Sequence, residues 1–404
     1  MRVLLITQYF PPEIGAAASR WGDYTNLMVK QGHQVTVLCE MPNYPKGNYF
    51  PGYNRSWVKK EIVSPNLTII RSASGANDRK SPIKKITHYF VFMISGLFNV
   101  RKIKNHDLVI ISSPPLFVGL IGVYLKKCKS VDFWLDIRDI WPESAFVLGQ
   151  IKKNFFYIFG KKLESIIYDS AKGFILTVPG FREYFNKKYF LLTRKPTLNL
   201  LNGISEDFLL RSEKLKIKPD KRFTVLYSGN LGLAQGLETI IEAAKLLEKY
   251  PIDFRLIGNG VSKNKLEELV RIKKQKNVFF HDSMSRFELI KWIKKSSVCL
   301  VPLTNNPLFQ TALPSKMFEY MACERPVIVG IKGEVQEIIN VSKSGVLVEP
   351  ENPILLSQAI LNYFENTDIC KSHGMNGMTY ITKKLRKEDL ISALMNEINF
   401  IENN

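Results

Sequence analysis

Lys316 and Glu319 stand three residues apart in Leu313-Pro314-Ser315-Lys316-Met317-Phe318-Glu319-Tyr320-Met321-Ala322, shortly before the apolar run Pro326-Val327-Ile328-Val329. Pro-Ser opens a helix, which puts the lysine in the first turn and the glutamate about one turn later. An ammonium there suits a diphosphate, and a carboxylate one turn on suits ribose hydroxyls. The other reading of Glu319 is a first-turn charge that complements the helix dipole. Two glycine turns follow apolar runs: Ser228-Gly229-Asn230-Leu231-Gly232 after Phe223–Tyr227, and Gly258-Asn259-Gly260 after Phe254–Ile257. Such turns either bring backbone N–H groups to a phosphate or simply pack strand against helix. The second is not a dinucleotide fingerprint, because residue 263 is Lys and no acidic residue is suitably placed.

The apolar runs must position these groups. Val3–Thr7, Val35–Leu38, Leu67–Ile70, Leu108–Ile111, Phe133–Asp136 and Gly173–Thr177 read as strands, with helical patterns between them. The first helix is expected at about Ala17–Gln31, stopped by Gly32. The pattern restarts with strands at Phe223–Tyr227, Phe254–Ile257, Val278–Phe280, Val298–Val301, Pro326–Val329 and Gly345–Val348, and a helix at about 236–249. Nearly continuous apolar strands alternating with helices predict parallel sheets covered on both faces. The chain therefore reads as an α/β protein of two Rossmann-like domains joined near the charged stretch Ser212–Arg222. Ligands of such sheets bind at the carboxyl ends of the strands. The loops at Gly15, Ser112–Pro115, Asp136–Pro142, Gly229–Gln235, Gly258–Gly260 and Leu313–Glu319 are thus expected to converge on a shared cleft.

The chain of 404 residues is long enough for two such domains, and 45% hydrophobic with 23% charged residues excludes a disordered or fibrous protein. Five scattered cysteines without a CxxC pair predict reduced thiols in a cytosolic protein. No signal peptide is expected at Met1–Gln8, which lacks a small-residue cleavage site. The net charge of +20 is uneven: residues 1–205 carry +16 and the remainder +4. That asymmetry predicts a polyanionic partner for the first half, an anionic membrane surface or a nucleic acid. No helix-turn-helix, zinc or RNP-like motif supports the nucleic-acid reading, so none is expected to bind. Ile86–Val100 is uncharged and apolar but spans only about 22 Å as a helix, too short to cross a bilayer. Flanked by Lys84-Lys85 and Arg101-Lys102, it is either an interfacial helix or a core helix with solvated ends. Lys152–Tyr157 and Phe181–Lys195 also mix aromatic and basic residues.

These segments carry a resemblance. Pro11-Pro12-Glu13 with Gly15, Gly32-His33-Gln34-Val35-Thr36-Val37, Asn202-Gly203-Ile204, Gly229-Asn230-Leu231-Gly232, Gly258-Asn259-Gly260 and Glu319-Tyr320-Met321-Ala322 followed by Pro326-Val327-Ile328 resemble family-4 retaining glycosyltransferases of GT-B fold over nearly the whole chain. Met41-Pro42-Asn43-Tyr44-Pro45-Lys46-Gly47 and Asp136–Ser144 are similar to the bacterial subgroup that builds O-antigen or capsule repeat units, N-acetyl-L-fucosamine transferases among them.

The resemblance implies an acceptor and membrane-facing domain at 1–205, completed by a C-terminal helix at about 385–404, and a nucleotide-sugar domain at 206–384. It implies transfer from a UDP-sugar to a lipid-diphosphate-linked saccharide, with retention, on the inner face of the cell membrane. N-acetyl-L-fucosamine is the first candidate sugar, with glucose, galactose and N-acetylglucosamine as alternatives. Gly15, Gly229, Asn230, Gln235, Gly258, Asn259, Thr311, Leu313, Pro314, Ser315 and Glu319 are the implied donor-binding positions. Thr311 replaces the first glutamate of the family's Glu-x7-Glu pair, and Asn230 and Gln235 replace its diphosphate-clamping Arg and Lys. Lys316 becomes the cation for the leaving phosphate, helped by backbone amides near Gly15 and Gly229. The family's first-domain histidine is replaced by the Ser112–Pro115 loop, which leaves Asp136, Arg138 and Asp139 as the polar, potentially catalytic groups of that domain. No Asp-x-Asp triplet is present, and neither a metal nor another cofactor is expected.

Overall fold

A computed structural model describes the chain except residues 14, 45–46, 76–81, 148–154, 189–193, 218–219 and 404. It divides into two compact units: unit 1 is Met1–Asn202 with Lys387–Asn404, and unit 2 is Gly203–Arg386. Unit 1 therefore gives up Gly203–Ser205, and Leu385-Arg386 stay with unit 2. Ile204 pairs with Arg386 as a short parallel bridge, and its N–H donates to the Leu385 carbonyl at 2.8 Å.

Unit 1 carries eight strands: β1 (Arg2–Ile6), β2 (Gln34–Glu40), β3 (Val58–Ser64), β4 (Leu67–Ser72), β5 (Leu108–Ser113), β6 (Trp134–Ile137), β7 (Gly173–Leu176) and β8 (Thr197–Asn199), in the order β3-β4-β2-β1-β5-β6-β7-β8. All neighbours are parallel except β3, which joins β4 antiparallel at the edge. The sheet is thus mixed, not wholly parallel. β3 was not expected because every residue in it is exposed or half-exposed, so it lacks an apolar run.

Helix α1 (Ala16–Lys30) follows β1, with Gly32 at φ +86° just beyond its end. The closing helix Lys387–Asn403 presents Ile391, Leu394, Met395 and Ile398 at helical spacing to the same core as Trp21, Tyr24 and Trp134. Trp134 donates to Glu402 at 3.0 Å.

Helix α2 (Pro82–Val100) contains the Ile86–Val100 run and packs one face of it into the core. Phe92, Met93 and Val100 are buried, whereas Ile86, Phe90 and Phe98 face solvent. Among the described residues no helix is long and apolar enough to cross a membrane. Lys152–Asn154, and residues 189–193 of the second aromatic-basic segment, lie outside the described residues.

Unit 2 carries β9 (Phe223–Ser228), β10 (Ile252–Ile257), β11 (Val278–His281), β12 (Val298–Pro302), β13 (Val327–Gly330) and β14 (Gly345–Leu347), all parallel, in the order β11-β10-β9-β12-β13-β14. Counted from its first strand this is 3-2-1-4-5-6, the doubly wound order, whose direction reverses between β9 and β12. Unit 1 shows the same reversal between β1 and β5. Loops leaving these strands hold most of the residues that the sequence singles out.

Candidate functional site

In unit 2 the helix Ser315–Ala322 begins at Pro314, with Leu313 buried before it and no side chain capping its N-terminus. Thr311 closes the short 3-10 turn Pro307–Thr311 that leads into it. Lys316 reaches back from the first turn to β9. Its Nζ lies 4.0 Å from the centre of the Tyr227 ring and donates to Tyr227 Oη at 2.7 Å. Tyr227 Oη in turn donates to the Asn230 carbonyl at 2.7 Å. Burial lowers the ammonium to about 7, against the opposing pull of Glu319. Gly229 makes room for this lysine: a Cβ there would lie 2.7 Å from Nζ, and the residue sits at φ +134°. A cation held on an aromatic face beside an uncapped helix N-terminus is chemically matched to a phosphate.

Glu319 sits one turn further on and accepts from Arg286 Nε at 2.8 Å. Arg286 opens the helix Arg286–Lys295, and its guanidinium also lies over the Phe208 ring at 4.8 Å. Tyr320 fixes the helix to β9, its Oη accepting from the Ser228 N–H at 2.8 Å. A carboxylate here can accept from a ligand hydroxyl. If it does, Glu319→Gln weakens binding of that ligand by about 2 kcal/mol, the cost of a charge-assisted hydrogen bond, and unchanged affinity in a normally folded variant would remove Glu319 from the site.

In the glycine turns the backbone amides pair with neighbouring backbone. The Gly229 N–H donates to the Ile257 carbonyl at 2.9 Å, Leu231 N–H to Asn259 at 3.0 Å, and Gly258 N–H to His281 at 2.9 Å. These amides join neighbouring strand ends to each other, so Gly229 and Gly258 hold no free amide for a phosphate. A Cβ on Gly258 would sit 1.8 Å from the Gly229 carbonyl oxygen, at φ +149°. Close packing of two backbones is what this glycine supplies. The Asn259 side chain is engaged with Ser283 and Lys263 at 3.0 and 3.2 Å. Asn230 and Gln235 flank Gly232, and Gln235 Oε1 is buried without a hydrogen-bond partner.

In unit 1, Asp136 corrects the sequence reading. Its carboxylate is fully buried and accepts from Arg20 at 3.0 Å, Trp21 at 2.9 Å and Ser112 at 2.7 Å. It belongs to the strand that precedes the loop and points under α1, so it does not face solvent. Arg138 and Asp139, the next polar residues, do reach a cavity of about 440 Å³ at the carboxyl ends of β1, β5 and β6. Arg138 donates from Nε to Ser112 at 2.9 Å and from a terminal nitrogen to the Pro114 carbonyl. Asp139 accepts from the Ile140 N–H at 2.8 Å and from Ser144 at 2.9 Å. Gly15 caps α1 in an extended conformation, and the uncapped first turn of α1 lines the same cavity. Among the described residues no group of three His, Cys, Asp or Glu side chains is placed to hold a metal ion.

Tyr227, Arg286 and Arg20 were not singled out from the sequence. Tyr227 reads as one more apolar strand residue, and Arg286 and Arg20 lie in no motif. Their contacts bridge 89, 33 and 116 residues of sequence.

Residues 211–379 match the family model of Glycosyl transferases group 1. The fold is of the GT-B type, and the group 1 match covers the stretch of unit 2 that bears Lys316 and Glu319. Over its length the chain is similar to WcaI of Escherichia coli K12, a protein named for a colanic acid biosynthesis glycosyl transferase, at 22% identity, covering 98% of this chain and 100% of that one. Its fold matches sucrose-phosphate synthase from Thermosynechococcus elongatus with a TM-score of 0.78 at 18% identity, covering 99% and 98% of the two chains. It also matches Anabaena HepE, solved in complex with UDP-glucose, with a TM-score of 0.70 at 12% identity and 99% of each chain covered.

Proposed function

We propose that this protein transfers a sugar, N-acetyl-L-fucosamine first among the candidates, from a UDP donor to a lipid-diphosphate-linked saccharide in surface-polysaccharide synthesis. The observation that carries the reading is Lys316, held on the Tyr227 ring at the uncapped N-terminus of the helix that also bears Glu319. A diphosphate seated there meets an ammonium and a helix N-terminus together, with the ribose side toward Glu319 and Arg286. Likeness to HepE, whose structure holds UDP-glucose, supports a UDP donor, and likeness to WcaI supports a polysaccharide product.

Transfer proceeds with retention through an oxocarbenium-like state. The departing diphosphate takes the proton of the acceptor hydroxyl, and Lys316, in place of a metal ion, stabilises the developing charge. Glucose, galactose and N-acetylglucosamine are the alternative sugars. Incubating the enzyme with a panel of UDP-sugars and a lipid-linked acceptor, followed by mass spectrometry of the product, identifies the donor. NMR of the new linkage tests retention, and no transfer from any UDP-sugar would overturn the reading.

A lipid-linked acceptor stays in the bilayer, so the enzyme works at the membrane surface. The solvent-facing Ile86, Phe90 and Phe98 of α2, with Lys84, Lys85, Arg101 and Lys102 at its ends, supply an apolar and cationic contact for anionic lipid. Sedimentation with anionic vesicles is expected to fall as salt rises, because surface attraction is screened over roughly 8–10 Å at 0.1–0.15 M. Replacing these four cations with Gln is expected to abolish sedimentation and leave UDP affinity intact. Unchanged sedimentation would sink this contact.

A further inference from the structure

Tyr9, Tyr44 and Tyr89, from three separate segments of the chain, line the unit 1 cavity together with Phe117 and Trp141. Each of the three tyrosines directly follows a buried residue that hydrogen-bonds the same carboxylate. Gln8 donates to Glu40 Oε2 at 2.7 Å, Asn43 donates to Glu40 Oε1 at 3.2 Å, and His88 Nε2 lies 2.9 Å from Glu40 Oε2. Glu40, at the end of β2, is itself fully buried, as are Asn43 and His88. His88 is held from its other side by the Gly75 carbonyl, 2.9 Å from Nδ1. Glu13 reinforces the arrangement by accepting from the backbone N–H groups of Asn43 at 2.9 Å and Tyr44 at 2.8 Å.

Placing a carboxylate in a protein interior is costly unless every partner is present. What this one gains is the relative placement of three tyrosines that are distant in sequence. The Tyr9 and Tyr44 ring centres are 5.4 Å apart. A cavity of this volume falls within the ~300–1,000 Å³ of small-molecule sites. Its wall is aromatic, and its polar groups are few and grouped at Arg138, Asp139 and Ser144. A pyranose has that division of surface: a C–H face that lies against aromatic rings and hydroxyls around its edge.

We propose that this cavity is a carbohydrate subsite in which a sugar ring lies against the Tyr9–Tyr44–Tyr89 wall, and that Glu40 is the residue positioning the wall. The inference rests on the transferase reading and gives its acceptor side a location and a chemistry. Arg138 and Asp139 meet the hydroxyls at the ring's edge. Glu40 touches no sugar and acts through Gln8, Asn43 and His88.

The test uses the full chain saturated with UDP, so that sugars cannot occupy the nucleotide site, and the variants below report whether they bind at the tyrosines. N-acetyl-D-glucosamine, D-galactose and L-fucose are added as probes, and binding is read by saturation-transfer NMR from the protein's aromatic protons. At least one sugar is expected to receive saturation mainly on the C–H protons of one face. Tyr44→Leu and Glu40→Gln are each expected to weaken it roughly three- to tenfold, with UDP affinity unchanged. The double variant is expected to lose little more than either single one, because both act through the same wall. Additive losses would make Glu40 merely structural, and so would a fall in UDP affinity in parallel with sugar affinity. If Glu40→Gln fails to fold, Tyr89→Leu and Tyr44→Leu carry the test of the wall. No binding of any probe, or unchanged binding in the tyrosine variants, overturns the subsite. Loss of UDP binding by the unmodified protein would instead overturn the donor reading, a separate result from the same sample.

Discussion

Lys316→Ala is expected to lower kcat by about 10²–10³-fold, the usual cost of removing one preorganised group aimed at developing charge. UDP affinity should fall much less, because negative charge on the departing diphosphate is greatest in the transition state. A variant that loses UDP affinity while keeping kcat would make Lys316 a ground-state binder. The depressed ammonium adds a second signature. Burial brings Lys316 to about 7, so the free enzyme holds it charged below that pH and neutral above. A mechanism that needs the cation therefore loses kcat/KM as pH rises through 7, since that ratio reports the free enzyme. Bound diphosphate favours the charged form, which moves the same limb of kcat to higher pH. Initial rates between pH 5.5 and 9 check both limbs, and Lys316→Arg, whose charge does not titrate there, should lose this alkaline fall.

Asp136→Asn is expected to be the most destabilising single change in unit 1. It leaves the Arg20 guanidinium, with its side chain only 2% exposed, without a counter-charge beneath α1. Breaking one side of a buried ion pair costs about 3–5 kcal/mol, roughly a 10 °C fall in the melting transition of a unit this size. On the proposed reading UDP binds unit 2, so UDP binding should persist at temperatures where unit 1 has lost its fold. Calorimetry with a parallel UDP titration measures both. Lost activity with an unshifted transition would return Asp136 to the reacting groups.

Asp136 also shows what a sequence discloses and what it conceals. Phe133–Asp136 reads as a strand running into a polar loop, yet the Asp136 carboxylate is buried against α1 while that of Asp139 lines a cavity. Charge at a position says that partners are needed, not on which side of the sheet they wait. The strands themselves were legible because covering both faces of a sheet demands unbroken apolar runs such as Val3–Ile6 and Val298–Val301. β3 was illegible for the opposite reason, being an exposed edge, and β8 because three residues carry too little pattern. In the site, Lys316 and Glu319 were visible because a Pro-Ser start fixes their turn of helix. Tyr227 and Arg286 complete the same site from other elements, and no local spacing encodes that meeting. The buried trio around Glu40 was equally silent, since Gln8, Asn43 and His88 are scattered through 81 positions of chain.

The helix Lys387–Asn403 has a consequence for how the molecule is made. Unit 2 is an uninterrupted stretch, whereas unit 1 is written in two pieces on either side of it. During synthesis unit 2 is complete while the core around Trp21 and Trp134 still lacks Ile391, Leu394, Met395 and Ile398. The nascent amino-terminal unit must therefore wait, with that apolar surface uncovered, for a segment made some two hundred residues later. At roughly 5–20 residues per second the interval is on the order of ten to forty seconds. A shortened chain ending at Arg386 should show the deficit directly: its amino-terminal half would aggregate or engage chaperones, while the excised stretch 203–386 would fold and be recovered from solution.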